Sequence, residues 1–230
     1  VLVRTPYGRA GMASTGNVLR DLGIAGVVQD LRGRFDSEGV DCVFRCDGGG
    51  DLQDGVDTVT WIEAQGWFDG HLVTYGGSAL GIVQYALAPV APASVKAMWP
   101  QVATSTFHDH ALFPGGVFRK NMIEGWLEDQ GSEFFLQDIA AHPLDDAFWD
   151  PIQTADRYAE VGVAAVHQGG WYDIFIQGTI DAFVGWQHQG GEGARRHGTV
   201  PRPDGHRRDA AQREARDSRA QGPRVSRAAE

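Results

Sequence analysis

The clearest chemical signal is a serine between small residues at a predicted strand-to-helix junction. Residues 74–81 read TYGGSALG, and Ser78 follows two glycines. Small neighbours allow a serine to take a strained backbone conformation that exposes its hydroxyl as a nucleophile. The N-terminus of the following helix offers N–H groups to an oxyanion. An ordinary turn is the alternative, since Leu80 stands where the G-x-S-x-G pattern has glycine and the second glycine is Gly81.

A carboxylate stands in a comparable position downstream. Residues 169–175 read GGWYDIF and place Asp173 in a loop between a predicted buried strand and a helix. An acid after the serine could orient the histidine of a nucleophile–base–acid triad. The alternative is a simpler helix cap, which is a common role for aspartate before a helix.

The elements that would position these residues alternate between strand and helix. The apolar patterns predict five strands, at 1–4, 25–29, 71–75, 95–99 and 161–166. They predict helices at 51–65, 79–88 and around 176–183. This alternation is typical of a mostly parallel sheet with helices on both faces. The alternation stops between about 104 and 151, where the sequence predicts two helices, at 118–129 and 132–141. This interruption indicates an insertion over the carboxyl ends of the strands, where such folds build their sites.

Composition excludes several classes of protein. The chain has 230 residues, of which 42% are hydrophobic, and a net charge of −10. It has no apolar run of the roughly 18 residues that a membrane span needs. The acidic balance argues against nucleic acid as a partner. Without a signal-peptide pattern we expect a cytoplasmic protein by default, although the first residues look like the inside of a strand.

No cofactor or metal is expected. The glycines of 48–50 lack the Lys-Ser/Thr of a phosphate loop, and no His/Asp/Glu cluster has ligand spacing. Cys42 and Cys46 stand four apart without further ligands nearby. We expect two free thiols, and a disulfide is the alternative.

The last 37 residues have a different composition. Ten of the twenty basic residues but only five of the thirty acidic ones lie at 194–230, and Phe, Trp, Tyr, Leu, Ile and Met are absent there. Such a segment cannot bury enough apolar surface to offset its ordering entropy, so we expect it to be disordered. The abrupt change also leads us to expect that the reading frame is lost after about Gly193.

Four ordered motifs together resemble one known family. They are VRTPY at 3–7, QDLRG at 29–33 with SEG at 37–39, the stretch from Asp54 to Gly81, and GWYD at 170–173. The chain resembles, over about 1–189, the cocaine esterase and X-prolyl dipeptidyl-peptidase-like family of serine hydrolases. This family includes α-amino acid ester hydrolases and glutaryl acylases.

The resemblance implies a catalytic role for several residues. Ser78 matches the nucleophile and Asp173 the triad acid. Tyr7 matches a tyrosine whose phenol donates to the oxyanion beside the backbone N–H of Ala79. The family usually has an aromatic residue at the position of Ala79, but alanine keeps the N–H.

It also implies a substrate pocket. Phe175 matches an aromatic residue that lines the acyl pocket, and Trp171 in the same loop is a second candidate for substrate contact. The aromatic residues of the insertion, which suit an apolar acyl or aryl group or join the insertion to the core, are Phe107, Phe113, Phe118, Trp126 and Trp149.

The triad histidine is where the pattern breaks. In the family it follows the acid on a loop after a further buried strand, and no such apolar strand follows residue 189. His197 and His206 stand at plausible distances from Asp173 but in the Arg-rich segment. His188 is too close to the acid, and the two histidines of the insertion, His108 and His110, come in the wrong chain order.

We therefore expect an α/β-hydrolase core with a small helical cap, incomplete at its C-terminus and without the family's β-sandwich. The expected parts are core at 1–103, cap at 104–151, core again at 152–193 and a disordered Arg-rich segment at 194–230. The predicted function is cleavage of a small ester, amide or X-Pro peptide through an acyl-enzyme on Ser78. The alternative is a catalytically inactive fragment. No nucleic-acid, membrane or cofactor partner is expected.

Overall fold

A single parallel sheet organises the part of the chain that the structure describes. The computed structural model describes residues 1–195. The strand order is β2-β1-β3-β4-β5 and every pairing is parallel. The strands are β1 Leu2–Thr5, β2 Val27–Asp30, β3 Leu72–Gly77, β4 Val95–Gln101 and β5 Ala164–Ala165.

Seven α-helices accompany the sheet within the described residues. They are α1 Ala13–Asp21, α2 Asp54–Glu63, α3 Ala79–Leu87, α4 Lys120–Gln130, α5 Phe135–Ala141, α6 Ile176–His188 and α7 Glu192–Arg195. The alternation of strands and helices confirms the predicted α/β class. Helices α4 and α5 lie in the segment between β4 and β5, where the sequence predicted two helices.

Helix α3 lies at the centre of the core. All nine of its residues are buried, so its sequence is apolar on every face and not striped. The one amide among them, Gln84, accepts hydrogen bonds from Thr74 Oγ1 at 2.7 Å and from the Trp99 N–H at 3.1 Å. It donates to the Gly76 carbonyl at 3.1 Å. Gln84 therefore ties α3 to both β3 and β4.

Three predicted elements differ from those observed. Helix α2 is shorter than 51–65, because Gln53 has non-helical backbone angles and Leu52 is exposed rather than part of the apolar stripe. The strand predicted at 161–166 pairs with β4 only at Ala164 and Ala165. Helix α1 was not predicted because it buries none of its residues and so leaves no apolar pattern.

The expectation of two free thiols is wrong. Cys42 and Cys46 form a disulfide in the loop between β2 and α2. The loop folds back on itself, since the Arg45 N–H donates to the Cys42 carbonyl at 3.1 Å. A four-residue spacing carries no information about this fold-back, which is why the sequence did not favour the bridge.

The segment expected to be disordered is described only at its start. Residues 194 and 195 end α7, and Ala194 is buried. The remainder of 194–230, including His197 and His206, lies outside the described residues. No helix within residues 1–195 is both long and apolar enough to cross a membrane.

Candidate active site

Ser78 lies at a sharp turn between β3 and α3. Its backbone angles are φ 56° and ψ −125°, a combination that a non-glycine residue rarely adopts. Its N–H donates to the Gln101 carbonyl of β4 at 2.9 Å, and its carbonyl accepts from the Gly81 N–H at 2.8 Å. These hydrogen bonds hold the turn on both sides, which gives Ser78 the strained geometry of a nucleophile elbow.

The small residues around Ser78 are required by space. A Cβ on Gly76 would lie 2.5 Å from Leu80 Cβ, and one on Gly81 would lie 2.5 Å from Ala103 Cβ. Real Cβ atoms do not approach so closely, so the elbow packs tightly against β4 and against its own helix. The second glycine therefore serves the elbow from position 81, three residues after the serine.

Ala79 begins α3, so its N–H belongs to the first turn. The N–H groups of the first turn have no intrahelical acceptor and carry the positive end of the helix dipole. Ala79 itself is 2% exposed, and its small side chain leaves room in front of Ser78. Its N–H is one of the first-turn groups that can donate to an anion.

The phenol of Tyr7 is held by a residue of α4. Trp126 donates its indole N–H to Tyr7 Oη at 2.9 Å. Since the phenol oxygen accepts this hydrogen bond, its own proton remains free to point elsewhere. Tyr7 is 37% exposed and follows β1, at the same sheet end as the elbow.

Asp173 precedes α6 and orders the loop around it. Its N–H donates to the Gly170 carbonyl at 2.9 Å, and its Oδ1 accepts from the Phe175 N–H at 2.8 Å. This contact forms an Asx turn before α6; the cap position of the helix is Phe175 and it has no side-chain cap, so Asp173 is not the helix cap that the sequence offered as the alternative. A carboxylate accepts several hydrogen bonds at once, so the contact orients Asp173 and leaves acceptor capacity for an imidazole.

None of the histidines in residues 1–195 hydrogen-bonds to Ser78 or Asp173. His108 contacts Asp109 Oδ1 at 2.7 Å and the Pro143 carbonyl at 3.2 Å. His110 Nε2 lies 3.5 Å from an Asp181 oxygen. The remaining ones, which the sequence analysis did not consider apart from His188, are His71, His142, His167 and His188.

The buried histidine among them is His167. It follows β5, and its Nδ1 lies 2.9 Å from the Tyr85 hydroxyl of α3. Burial lowers the pKa of His167 to about 3, because the charged imidazole would lose its hydration. His167 is therefore neutral at pH 7. Its ring packs against Tyr85 and, in a T-shaped arrangement with centroids 4.9 Å apart, against Trp186.

An apolar cavity of about 160 Å³, partly open to solvent, lies beside Ser78. The serine is the only residue with a polar side-chain oxygen among those that line it. The apolar ones come from the loop before α2, the elbow helix, the segment after β4, helices α4 and α5 and the loop before α6: Val43, Phe44, Ala79, Ile82, Phe107, Ala111, Leu112, Met122, Ile123, Trp126, Leu127, Phe135, Ile139, Ile174 and Phe175.

Some of the residues that were predicted to line the pocket do so, and others do not. Phe175 is buried and lines the cavity beside Ser78 and Ala79. Trp171 is 68% exposed and lies outside the cavity wall. Of the aromatic residues of the insertion, Phe107 and Trp126 face the cavity, whereas Trp149 is fully buried in the core. Both roles considered for these rings, pocket lining and packing, therefore occur.

Val43 and Phe44 line the cavity but were not predicted from the sequence to do so. Both are 4% exposed, and both line the cavity from within the disulfide loop. The available signal was the pair of apolar residues enclosed by the two cysteines. It became interpretable only once the bridge showed that these residues form a tight loop.

The spacing of residues along the sequence also did not reveal one cluster of residues of the types that bind metals. His108, Asp109 and Asp145 bring candidate ligand atoms within 4.8 Å of one another. Burial raises the pKa of Asp145, whose carboxylate accepts a hydrogen bond from Gln153 Nε2 at 2.6 Å. The group lies apart from the cavity wall, so nothing connects it with Ser78.

The fold and the elbow define an α/β-hydrolase core. A family model described as X-Pro dipeptidyl-peptidase (S15 family) matches residues 1–133 and 126–206. The chain therefore belongs to this family of hydrolases, which confirms the resemblance seen in the motifs.

Individual relatives agree with the assignment. The cocaine esterase of Rhodococcus sp. (strain MB1 Bresler) is 28% identical, over 80% of this chain and 41% of that protein. A CocE/NonD family hydrolase from Staphylococcus aureus superposes with a TM-score of 0.69 at 19% identity, over 95% of this chain and 44% of that one. An α-amino acid ester hydrolase gives 0.64 at 19% identity, over 81% and 40%. The chain thus spans about four-tenths of the length of these relatives.

Proposed function

We propose that this chain carries the nucleophile and acyl pocket of a serine hydrolase that cleaves esters of small apolar acids. The observation that carries the proposal is the position of Ser78, on a strained turn at the mouth of an apolar cavity. A strained backbone conformation at a partly buried serine beside a cavity is typical of nucleophiles. Membership in a hydrolase family supports the same conclusion.

The proposed mechanism is acyl transfer in two steps. The Ser78 hydroxyl attacks the substrate carbonyl while a neutral imidazole takes its proton, and the alcohol then leaves from the tetrahedral intermediate. The Ala79 N–H and the Tyr7 hydroxyl stabilise the developing oxyanion. Asp173 orients the imidazole. Water then attacks the acyl-enzyme and releases the acid.

The cavity favours uncharged acyl groups over peptide ends. An X-Pro peptide brings a charged ammonium group close to the scissile bond, and a buried charge is costly unless it is paired. Among the described residues that line the cavity, none is charged. We therefore infer that the substrate is an ester of an uncharged, apolar acid rather than a dipeptide-releasing substrate.

A second candidate function follows from the surroundings of Asp173. Its Oδ1 accepts from the Phe175 N–H, and within residues 1–195 no histidine hydrogen-bonds to it. A chain whose serine lacks a base would bind the ligand in the cavity without turning it over. Loss of the triad histidine in subtilisin removes about 10⁶-fold in turnover, so the two candidates are easily separated.

A burst assay with p-nitrophenyl butyrate tests the proposal. We expect one equivalent of p-nitrophenol to be released rapidly, with the butyryl group found on Ser78 by mass spectrometry. Ser78→Ala should abolish the burst, and Tyr7→Phe should slow acylation by about 10²–10³-fold through loss of one oxyanion donor.

The fully exposed Tyr172 provides the matched control, since Tyr172→Phe removes a phenol from a neighbouring loop without touching the cavity. Its burst should equal that of the parent. If circular dichroism shows a folded protein and no burst is observed, hydrolysis is rejected. The second candidate function, ligand binding without turnover, is then favoured.

A further inference from the structure

The disulfide loop forms one wall of the cavity. The bridge between Cys42 and Cys46 encloses Val43, Phe44 and Arg45 in a ring of five residues. Val43 and Phe44 are almost completely buried, and both face the same cavity as Ser78. The size of the cavity therefore depends on where this short loop holds two side chains.

The backbone of the loop is held in an unfavourable conformation. Val43 has φ 41° and Phe44 has φ 68°, a region that β-branched and bulky residues avoid. Such angles persist only where the surroundings over-determine them. Here the Val43 N–H donates to Asp41 Oδ1 at 3.0 Å and the Asp47 N–H to the Phe44 carbonyl at 3.2 Å. The covalent bridge adds the constraint that closes the ring.

Phe44 connects the loop with the opposite side of the site. Its ring centroid lies 5.6 Å from those of both Phe107 and Trp126. Trp126 in turn donates to the Tyr7 hydroxyl. A displacement of Phe44 would therefore change the width of the cavity and remove packing from the tryptophan that holds the candidate oxyanion donor.

The cavity volume matches a single aromatic ring. An apolar cavity of about 150 Å³ in another protein is large enough to bind benzene. The cavity here is of about 160 Å³, so a phenyl group occupies most of it, and we expect a fused second ring to press against its walls. Because interiors are close-packed, added volume requires that a wall moves.

We propose that the Cys42–Cys46 disulfide determines the size of acyl group that the cavity accepts, and that the cavity accepts larger acyl groups once a dithiol has reduced the bridge. The inference rests on the proposed function, since it takes the cavity as the acyl site. Reduction frees Val43 and Phe44 to leave their left-handed conformation and withdraw from the wall. The bridge is thus a site of reversible covalent modification beside the nucleophile.

The chemistry of the switch is ordinary thiol–disulfide exchange. A thiolate of the reductant attacks the sulfur of Cys42, the less buried of the two residues, and the Cys42–Cys46 bond breaks. A mixed disulfide forms and Cys46 leaves as a thiolate that takes up a proton. The second thiol of the reductant then displaces Cys42 and closes the reductant's own disulfide. The protein is reduced by two electrons and the dithiol is oxidised by two.

Calorimetric binding of two uncharged aryl ketones tests the inference without requiring turnover. Acetophenone carries one ring and 2-acetylnaphthalene carries two fused rings. We expect the oxidised full chain to prefer acetophenone by at least about tenfold, the scale on which apolar pockets discriminate size. Reduction with dithiothreitol, or the double variant Cys42→Ser/Cys46→Ser, should bring the ratio of the two affinities close to one.

Two single variants keep the test decisive if the reduced protein loses its fold. Phe44→Ala leaves the bridge intact and should admit 2-acetylnaphthalene in the oxidised protein. Val40→Ala, at an 80% exposed position two residues before the bridge, should keep the preference of the parent.

Each result has one meaning. If acetophenone binds and the ratio stays the same in oxidised, reduced and Phe44→Ala protein, the inference is wrong and the acyl site stands. If neither ketone binds to the oxidised protein, the cavity is not the acyl site and the proposed function fails with it. Free thiols at both cysteines in the protein purified without reductant would also overturn the inference.

Discussion

Left-handed backbone angles are concentrated around the cavity. Among residues 1–195, five non-glycine residues have positive φ, and three of them line the cavity wall: Val43, Phe44 and Ser78. Each such residue costs roughly 1–3 kcal/mol and is retained only where packing enforces it. The surrounding packing therefore holds three strained residues in the wall of one cavity.

Gly76, two residues before Ser78, provides the clearest test of this packing. We expect Gly76→Ala to destabilise the protein by about 1–3 kcal/mol, because the new Cβ would lie 2.5 Å from Leu80 Cβ. The measurement is the free energy of unfolding from urea denaturation. The control is Gly125→Ala in α4, where a Cβ meets nothing within 4 Å and the helix gains roughly 0.4–1 kcal/mol. Equal stability of the two variants would contradict the packing argument.

At the scale of elements, α3 connects Ser78 with β5, the strand that precedes the loop of Asp173. Tyr85 of α3 meets His167 just after β5, and Thr154 Oγ1 donates to the Tyr85 carbonyl at 2.6 Å. Burial raises the pKa of Tyr85 well above its ordinary value, so the phenol is neutral. The contact is therefore a neutral hydrogen bond in the core, with a pH dependence set by the imidazole.

This contact predicts how stability depends on pH. The pKa of His167 is about 3 in the folded protein and near 6.5 in the unfolded chain, so only the unfolded chain takes up a proton between these values. Stability conferred by the neutral imidazole is complete above pH 6.5 and is lost as the pH falls towards 3. The expected slope is up to about 1.4 kcal/mol per pH unit.

The variant His167→Gln removes the titrating group, so its free energy of unfolding should fall less steeply than that of the parent between pH 6.5 and 4.5. Val40→Ala, at an 80% exposed position without an ionisable side chain, should keep the slope of the parent. The same slope in all three proteins would show that His167 does not titrate on unfolding.

The sequence predicted best the elements whose signal is local. Helix α3 was placed almost correctly because Pro89 ends its apolar run, and the glycines at 76, 77 and 81 identified the elbow. Helix α1 gave no signal because it buries nothing. The cavity wall at Val43 and Phe44 could not be predicted, since it depends on a bridge and on contacts with residues more than sixty positions away.

At the scale of the whole molecule, Arg34 joins the loop after β2 to the end of α4. Its guanidinium donates to the carbonyl of Gln130 and lies 3.3 Å from Ser132 Oγ. Ser132 Oγ also donates to Asp41 Oδ2 at 2.6 Å, and Asp41 pairs with Arg34 at 3.4 Å. These partly buried groups hold α4, with its cavity-lining residues, against the loop that carries the disulfide.

Removing this guanidinium should loosen α4. For Arg34→Ala we expect faster amide hydrogen exchange in α4 and unchanged protection in β3, because the guanidinium contacts the end of α4 and the Pro6 carbonyl after β1 but not β3. Mass spectrometry of peptic fragments measures the difference. The control is Arg20→Ala on the exposed face of α1, where the ion pair with Asp21 is open to solvent. Uniformly faster exchange in Arg34→Ala would indicate global destabilisation and contradict the expectation.

The brevity of β5 has a consequence for unfolding by heat. This strand pairs with β4 at two positions, and the following residues add a single bridge between Gln101 and Gln168. Few main-chain hydrogen bonds therefore join β4 to the segment that leads into the loop of Asp173, whereas β3 pairs with β4 along its whole length. Segments with few such bonds open at a smaller cost than the core. On warming, we expect the loop of Asp173 to open while the turn at Ser78 is still intact, at temperatures where the far-ultraviolet spectrum still reports a folded sheet.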